Sequence, residues 1–196
     1  MELWNELFEL KGEMVRLVPI SLEHLEGLWE AAKHDKIWTY MATTIRSKDE
    51  MEKMIVSAML NREKGIDYTF TVVNQEDRII GSTRYLDILP EHSSVEIGST
   101  WYRPEFWRTR VNTECKYLLL RHAFEVWELR RVQLKTDSRN LRSQGAIERI
   151  GAVKEGTLRK DRKISGGYVR DTVFYSILQE EWGTVKQELA RKLSVQ

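Results

Sequence analysis

The sequence predicts an α+β fold, a mixed central sheet with helices on both faces. Three observations carry that expectation. Apolar periods of two and of 3.6 residues succeed one another in the order β-α-α-β-β-β-α-β-α-β-β, which combines antiparallel hairpins with helical crossovers. Strands and helices do not strictly alternate, as a doubly wound nucleotide fold would require. The 196 residues, 41% hydrophobic and 31% charged, suffice for one sizeable core. With three prolines and no Gly/Ser-rich linker, residues 1–196 read as a single domain. Its core would span about 14–178, followed by a C-terminal helix over 180–193.

The elements follow in order. Met14-Val15-Arg16-Leu17-Val18 alternates and ends at Pro19, which suits a strand. Ser21 caps a helix that sets Leu22, Leu25, Leu28, Trp29 and Ala32 on one face. Ser47-Lys48-Asp49-Glu50 opens a second helix, with Met51, Met54, Ile55, Ala58 and Met59 at helical spacing. Strands Tyr68–Val73 and Ile79–Leu86 flank the polar turn Asn74–Arg78, and Pro90–Ser94 turns the chain into a third strand, Val95–Tyr102. After Arg103–Arg110 comes the clearest helix, whose stripe is Val111, Cys115, Leu118, Leu119, His122 and Val126. Val132–Thr136 is a short strand, and Leu141–Ile150 a short helix stopped by Gly151. Val153–Leu158 and Tyr168–Leu178 are strands around the polar turn Asp161–Gly167. The crossovers at 111–130 and 140–151 imply that the strands around 95–136 run partly parallel.

Composition narrows the function. No run of about 18 apolar residues occurs, so no membrane span is expected. Met1-Glu2-Leu3-Trp4-Asn5-Glu6 is acidic and lacks the pattern of a secretory leader. With Cys115 as the single cysteine, no intrachain disulfide or cysteine-based zinc site can form, which points to a cytoplasmic protein. His24, His34, His92 and His122 lack ligand-like spacing, so no metal is expected. Net charge is +1, yet residues 103–163 hold 16 basic against 8 acidic side chains. That stretch should face something anionic, such as a phosphorylated cofactor, an acidic protein or nucleic acid, unless it is simply a solvated basic face. Nucleic acid is disfavoured, because no interleaved aromatics or recognition-helix pattern accompany the charge. No Ser-His-Asp order, P-loop or dinucleotide fingerprint is present.

One stretch is more specific. Val95-Glu96-Ile97-Gly98-Ser99-Thr100-Trp101-Tyr102-Arg103-Pro104-Glu105-Phe106-Trp107 leads through Arg108-Thr109-Arg110 into Val111-Asn112-Thr113-Glu114. Further on come Asn140-Leu141-Arg142-Ser143, Arg149-Ile150-Gly151-Ala152 and Val153-Lys154-Glu155-Gly156. In this order and spacing the chain resembles the GNAT superfamily of N-acetyltransferases, in particular the ribosomal-protein-alanine and -serine acetyltransferase branch. The resemblance implies a GNAT-like acyl-CoA N-acyltransferase fold and acetyl-CoA as co-substrate. A strand that turns into a helix gathers backbone N–H groups at a helix N-terminus, a natural seat for a pyrophosphate. On the resemblance, Trp107, Arg108, Thr109, Arg110, Val111, Asn112 and Thr113 hold the pyrophosphate. Gly98, Ser99, Thr100, Trp101 and Tyr102 offer main-chain donors to the pantetheine and thioester, joined by Asn140 and Ser143. The family commonly has glycine where this chain has Arg108 and Arg110. Arginines keep the cradle, on this reading, only if both sit at negative φ.

The implied reaction is direct attack by a primary amine on the acetyl group, with no covalent acyl-enzyme. An α-amine near pKa ~7.8 is roughly 14% neutral at pH 7, and a lysine near ~10.4 only about 0.04%. A protein N-terminus is therefore the first expectation for the acceptor, with small amines open. Glu96 could take the amine proton, or be a surface carboxylate on the outward face. Ser143 matches the position from which that branch protonates the departing thiolate, although Asn140 and Ser143 also read as a helix cap. Trp29, Trp38 and Tyr40 could form an aromatic acceptor wall, or pack in the core. Cys115 reads as core. The rival reading is a non-catalytic acyl-CoA sensor whose pyrophosphate loop has been altered. A homodimer is compatible with either.

Overall fold

The structure is a computed structural model that describes residues 6–194; the leader-free reading of Met1–Asn5 lies outside the described residues. Its eight strands form one sheet in the order β1-β2-β3-β4-β5-β6-β8-β7. The strands are β1 (Leu10–Lys11), β2 (Val15–Pro19), β3 (Tyr68–Asn74), β4 (Ile79–Leu89), β5 (Ser94–Tyr102), β6 (Arg131–Asp137), β7 (Val153–Lys163) and β8 (Val169–Leu178). The helices are α1 (Leu25–Ala32), α2 (Lys48–Glu63), α3 (Val111–Glu125), α4 (Leu141–Arg149) and α5 (Trp182–Ser194). Every strand pair is antiparallel except β5 with β6, the one parallel junction in the sheet.

Two cores lie on opposite faces. One packs Val95, Ile97, Val132, Leu134, Tyr175 and Ile177 against Leu118, Leu119, Ile147, Trp182 and Leu189 of α3, α4 and α5. The other seals Ile20, Leu28, Met51, Ile55, Ala58 and Trp38 beneath α1 and α2. The stretch expected to open α2 does so through Ser47, whose side chain accepts from Glu50 N–H at 3.1 Å as an N-cap. Gly151 ends α4 at φ +96, a left-handed conformation that stops a helix cleanly.

The structure departs from expectation in places. The short strand Leu10–Lys11 lies outside the expected elements, because two residues carry no period. The turn from it into β2 is held by Glu114 of α3, whose buried carboxylate accepts from the N–H groups of Glu13, Met14 and Val15 at 2.8–2.9 Å. Residues 22–24 form a separate 3-10 turn, so α1 proper starts at Leu25. Val126 falls just past α3 and is exposed, since the chain already turns there toward Glu128 at φ 52. β7 runs to Lys163, beyond the expected end, so the turn shrinks to 164–168 and is closed by Ile164 N–H to Tyr168 C=O at 2.9 Å. Bulges at Lys154/Gly156 and Leu158/Arg162 explain why its period was obscured.

Candidate active site

The parallel junction is short. β5 and β6 pair only from Ser94↔Arg131 to Glu96↔Gln133, and beyond Glu96 no rung joins them. The cause lies on the other side of β5. Arg84 of β4 pairs with Gly98 and Ser82 with Trp101, so β5 spends three steps where β4 spends two. Ser99 takes up the extra residue at φ 46, and such a bulge bends its strand away from its neighbour. Gly81 permits the close return to β4, because a Cβ there would sit 2.1 Å from the Trp101 carbonyl oxygen. From Ile97 onward the edge of β5 that faces β6 thus has no strand partner. A cleft of about 480 Å³ opens in this fork, lined by Gly98 through Tyr102 on one side and by Leu134, Thr136, Asn140 and Ser143 on the other.

The start of α3 closes one end of the cleft. Trp107 Nε1 donates to Tyr102 C=O at 2.9 Å, and Thr109 Oγ1 donates to Phe106 C=O at 2.7 Å, which folds the loop tightly into the helix. The condition set on the two arginines fails for one of them. Arg110 caps α3 at φ −72, but Arg108 sits at φ 61. The turn needs a left-handed residue, so the chain keeps the glycine geometry at a strain cost of order 1–2 kcal/mol. Arg110 turns away from the cleft and donates to Leu193 C=O at 2.8 Å. Arg108 and Thr109 line the cleft; with Arg110, Thr113, Arg149 and Lys192 they also line a second, cationic concavity beside it. Val111 is buried in the core instead. Across the mouth, the Arg142 guanidinium lies 3.9 Å from the centre of the Trp107 ring. Burial and the neighbouring Arg108 both push the Arg142 pKa down, the mark of two cations held close.

At the floor, Asn140 caps α4 by accepting from Ser143 N–H at 3.1 Å. The cap uses Ser143's main chain and leaves its hydroxyl to the cleft. Glu96 is no outward surface carboxylate. It is 2% exposed, with Lys135 Nζ at 2.5 Å and Gln133 Nε2 at 3.2 Å, and it borders the cleft. Lys116 of α3 also reaches the wall, buried, donating to Thr100 Oγ1 at 2.7 Å within the bulge. Burial lowers its pKa from 10.5 to about 8. Cys115 beside it is fully buried and pushed up to about 12, so its thiol stays protonated. His122 stacks on Phe8 at 4.2 Å, and burial takes it down to about 4. Among the described residues no group of three His, Cys, Asp or Glu could hold a metal ion. Nor is any described helix long and apolar enough to cross a membrane.

The far end of the cleft is built by the β7–β8 hairpin and the segment after α1. Ser165 N–H donates to Ala42 C=O at 3.1 Å, bringing the hairpin tip against that segment. Arg139 joins the same two parts: it lies 3.6 Å from the Tyr168 ring centre and 5.7 Å from that of Tyr40. Asp137 fixes Arg139 through two hydrogen bonds of 2.9 and 2.7 Å; burial would raise the Asp137 pKa, but these bonds hold it low. The expected aromatic wall reduces to Tyr40, which borders the cleft. Trp29 is only partly buried and packs against the second core away from the cleft, under Lys33, while Trp38 is buried, donates to Ala32 C=O at 2.9 Å and packs on Trp101 at 5.5 Å. Lys116, Lys135, Arg142 and Arg170 were not anticipated. The signal for Lys116 was present, a lysine beside the apolar stripe of α3. The others depend on which strands become neighbours.

Comparison with known proteins follows the same lines. The family model of the acetyltransferase (GNAT) domain matches residues 15–153. The ribosomal-protein-serine acetyltransferase of Escherichia coli (strain K12) is 21% identical over 174 residues, covering 87% of this chain and 96% of that protein. The crystal structure of a GCN5-related N-acetyltransferase from Brucella melitensis is 27% identical, with a TM-score of 0.89 over 96% of this chain and 86% of that one. The microcin C7 self-immunity acetyltransferase MccE, solved with acetyl-CoA and AMP, shares the fold at TM-score 0.78 and 19% identity, covering 85% of this chain and 93% of that one.

Proposed function

The chain belongs to the acetyltransferase (GNAT) family, and from that premise we propose that it passes the acetyl group of acetyl-CoA directly to a primary amine entering beside Tyr40 and the β7–β8 hairpin. It is an N-acetyltransferase with acetyl-CoA as co-substrate. The observation that carries the proposal is the unpartnered edge of β5 beyond Glu96, which opens onto the cleft next to the N-terminus of α3. Backbone donors held there by the bulge need no reorganisation when charge grows on an acyl oxygen. The donor fits the residues present. Arg108, Arg142 and the start of α3 offer cations and main-chain N–H groups for a pyrophosphate, while Ile147, Ile150 and Leu134 give an apolar path for a pantetheine arm.

Bound acetyl-CoA would supply a thioester, an acyl group already activated toward amines. The chain's own residues do the rest. Glu96 is ion-paired with Lys135 and receives the proton of the attacking amine, directly or through a water. The Ser143 hydroxyl protonates the departing thiolate. Cys115, buried and protonated, takes no part, in keeping with direct attack. A protein N-terminus or a small amine is the acceptor, and a reducing cytoplasm suits the lone thiol.

Thiol release from acetyl-CoA across a panel of amines, with mass spectrometry of the products, tests the reading. An acetylated amine with stoichiometric thiol is the expected result. Micromolar coenzyme A binding by calorimetry with no release on any amine would instead favour the sensor reading motivated by Arg108 and Arg110. No coenzyme A binding at all would sink both.

A further inference from the structure

At the acceptor end of the cleft one cation stands apart. Arg170 of β8 lies directly opposite Arg162 of β7, so two arginines share one rung. Like charges placed this way repel, and burial adds a desolvation cost. Every other charge here has a partner. Arg162 binds Asp161 at 2.8 Å, Arg139 grips Asp137, and Lys135 pairs with Glu96. Arg170 has no ion pair among the described residues. Its Nε donates to Thr172 Oγ1 at 3.0 Å, and no acceptor among those residues meets its two terminal nitrogens. Yet it is only 7% exposed and borders the cleft together with Glu96. The nearby carboxylates of Asp137, Asp161 and Glu96 act on it, but their hydrogen bonds and ion pairs go to Arg139, to Thr172 and Arg162, and to Lys135 and Gln133.

A nine-tenths-buried guanidinium with a vacant fork, aimed into a cavity beside a candidate base, is a ready receptor for a planar anion. We propose that the acceptor is a primary amine carrying a carboxylate, which Arg170 binds while Glu96 meets the amine. This rests on the acetyl-transfer reading above and narrows its substrate class. Asp87 and Glu96, the acidic groups lining the same end, disfavour a second anion away from Arg170 and thereby orient the acceptor.

The test uses acceptors matched except for the carboxylate: Ala-Asp and Ala-Glu amides against Ala-Asn and Ala-Gln amides. The carboxylate member of at least one pair should show kcat/KM roughly tenfold to a hundredfold higher, chiefly through KM. Arg170→Met should bring that ratio toward one, and Arg170→Lys should restore part of it, since an ammonium keeps the charge but loses the fork. Coenzyme A affinity, read by calorimetry, establishes that each variant is folded. Equal kcat/KM within every pair, or a preference that survives Arg170→Met, overturns the proposal while leaving acetyl transfer intact. Should no amine turn over, the acetyl-transfer reading fails by itself. Binding of the same peptides to the coenzyme A complex then decides this one, with carboxylate-indifferent or undetectable binding against it.

Discussion

Lys116 offers the most decisive probe of the cleft's energetics. It is 5% exposed, its neighbour Cys115 is neutral, and its pKa falls from 10.5 to about 8. At 1.36 kcal/mol per pH unit, holding this ammonium in the folded protein costs roughly 3 kcal/mol at neutral pH. The sign follows from proton binding. Between about pH 8 and 10.5 the unfolded chain binds the proton that the folded chain has shed, so stability rises with pH through that window. Below pH 8 the whole penalty applies. Lys116→Met keeps the length and flexibility of the side chain while removing the charge, and forfeits about 1 kcal/mol of hydrogen bond to Thr100. Thr100 keeps its bond to Thr83 at 2.7 Å. The variant should therefore be more stable than wild type by about 1–2 kcal/mol at pH 7, with the advantage gone near pH 10.5. Urea denaturation followed by tryptophan fluorescence at pH 7, 8.5 and 10 measures the gap. A Met variant less stable than wild type at pH 7, or a gap indifferent to pH, would show that burial does not penalise this ammonium. Acetyl transfer should meanwhile slow, because Thr100 loses a donor that anchors it in the bulge.

Four other variants have expected outcomes. Arg108→Gly relieves the left-handed strain at φ 61 but frees the unfolded chain by a similar amount, so the melting temperature should hardly move. Coenzyme A affinity by calorimetry should still fall about tenfold with the lost guanidinium. Asn140→Ala should cost about 1 kcal/mol of stability as a lost N-cap. Ser143→Ala should leave stability and coenzyme A affinity unchanged while kcat drops by about a hundredfold or more; equal loss of stability in both variants would make Ser143 a mere cap residue. Glu114→Ala strands the N–H groups of Glu13, Met14 and Val15 and should cost at least about 3 kcal/mol in chemical denaturation.

Consecutive residues sufficed for the order of elements from Val15 to Leu178, the helix start at Ser47, the cap at Asn140, the stop at Gly151 and the strand-to-helix turn at the head of α3. These are local: a period, a cap or a turn is written within a few consecutive residues. Local pattern also set Cys115 on the buried stripe of α3 and Ser143 three residues after its cap. What surrounds the reacting groups depends on long-range packing. Glu96 meets Lys135 because β5 and β6 lie side by side before they part, and Arg170 lies beside the same cleft because β8 is the next strand over. Trp38 was drawn into the core and Trp29 against its edge while Tyr40 was left at the cleft, a sorting that rests on how α1 and α2 cover the sheet. Arg108 took a glycine's conformation because the turn between Trp107 and α3 required it, whatever the side chain preferred. Charge, burial and strain at a site arise between residues far apart in the chain, and no local pattern encodes which of them will meet.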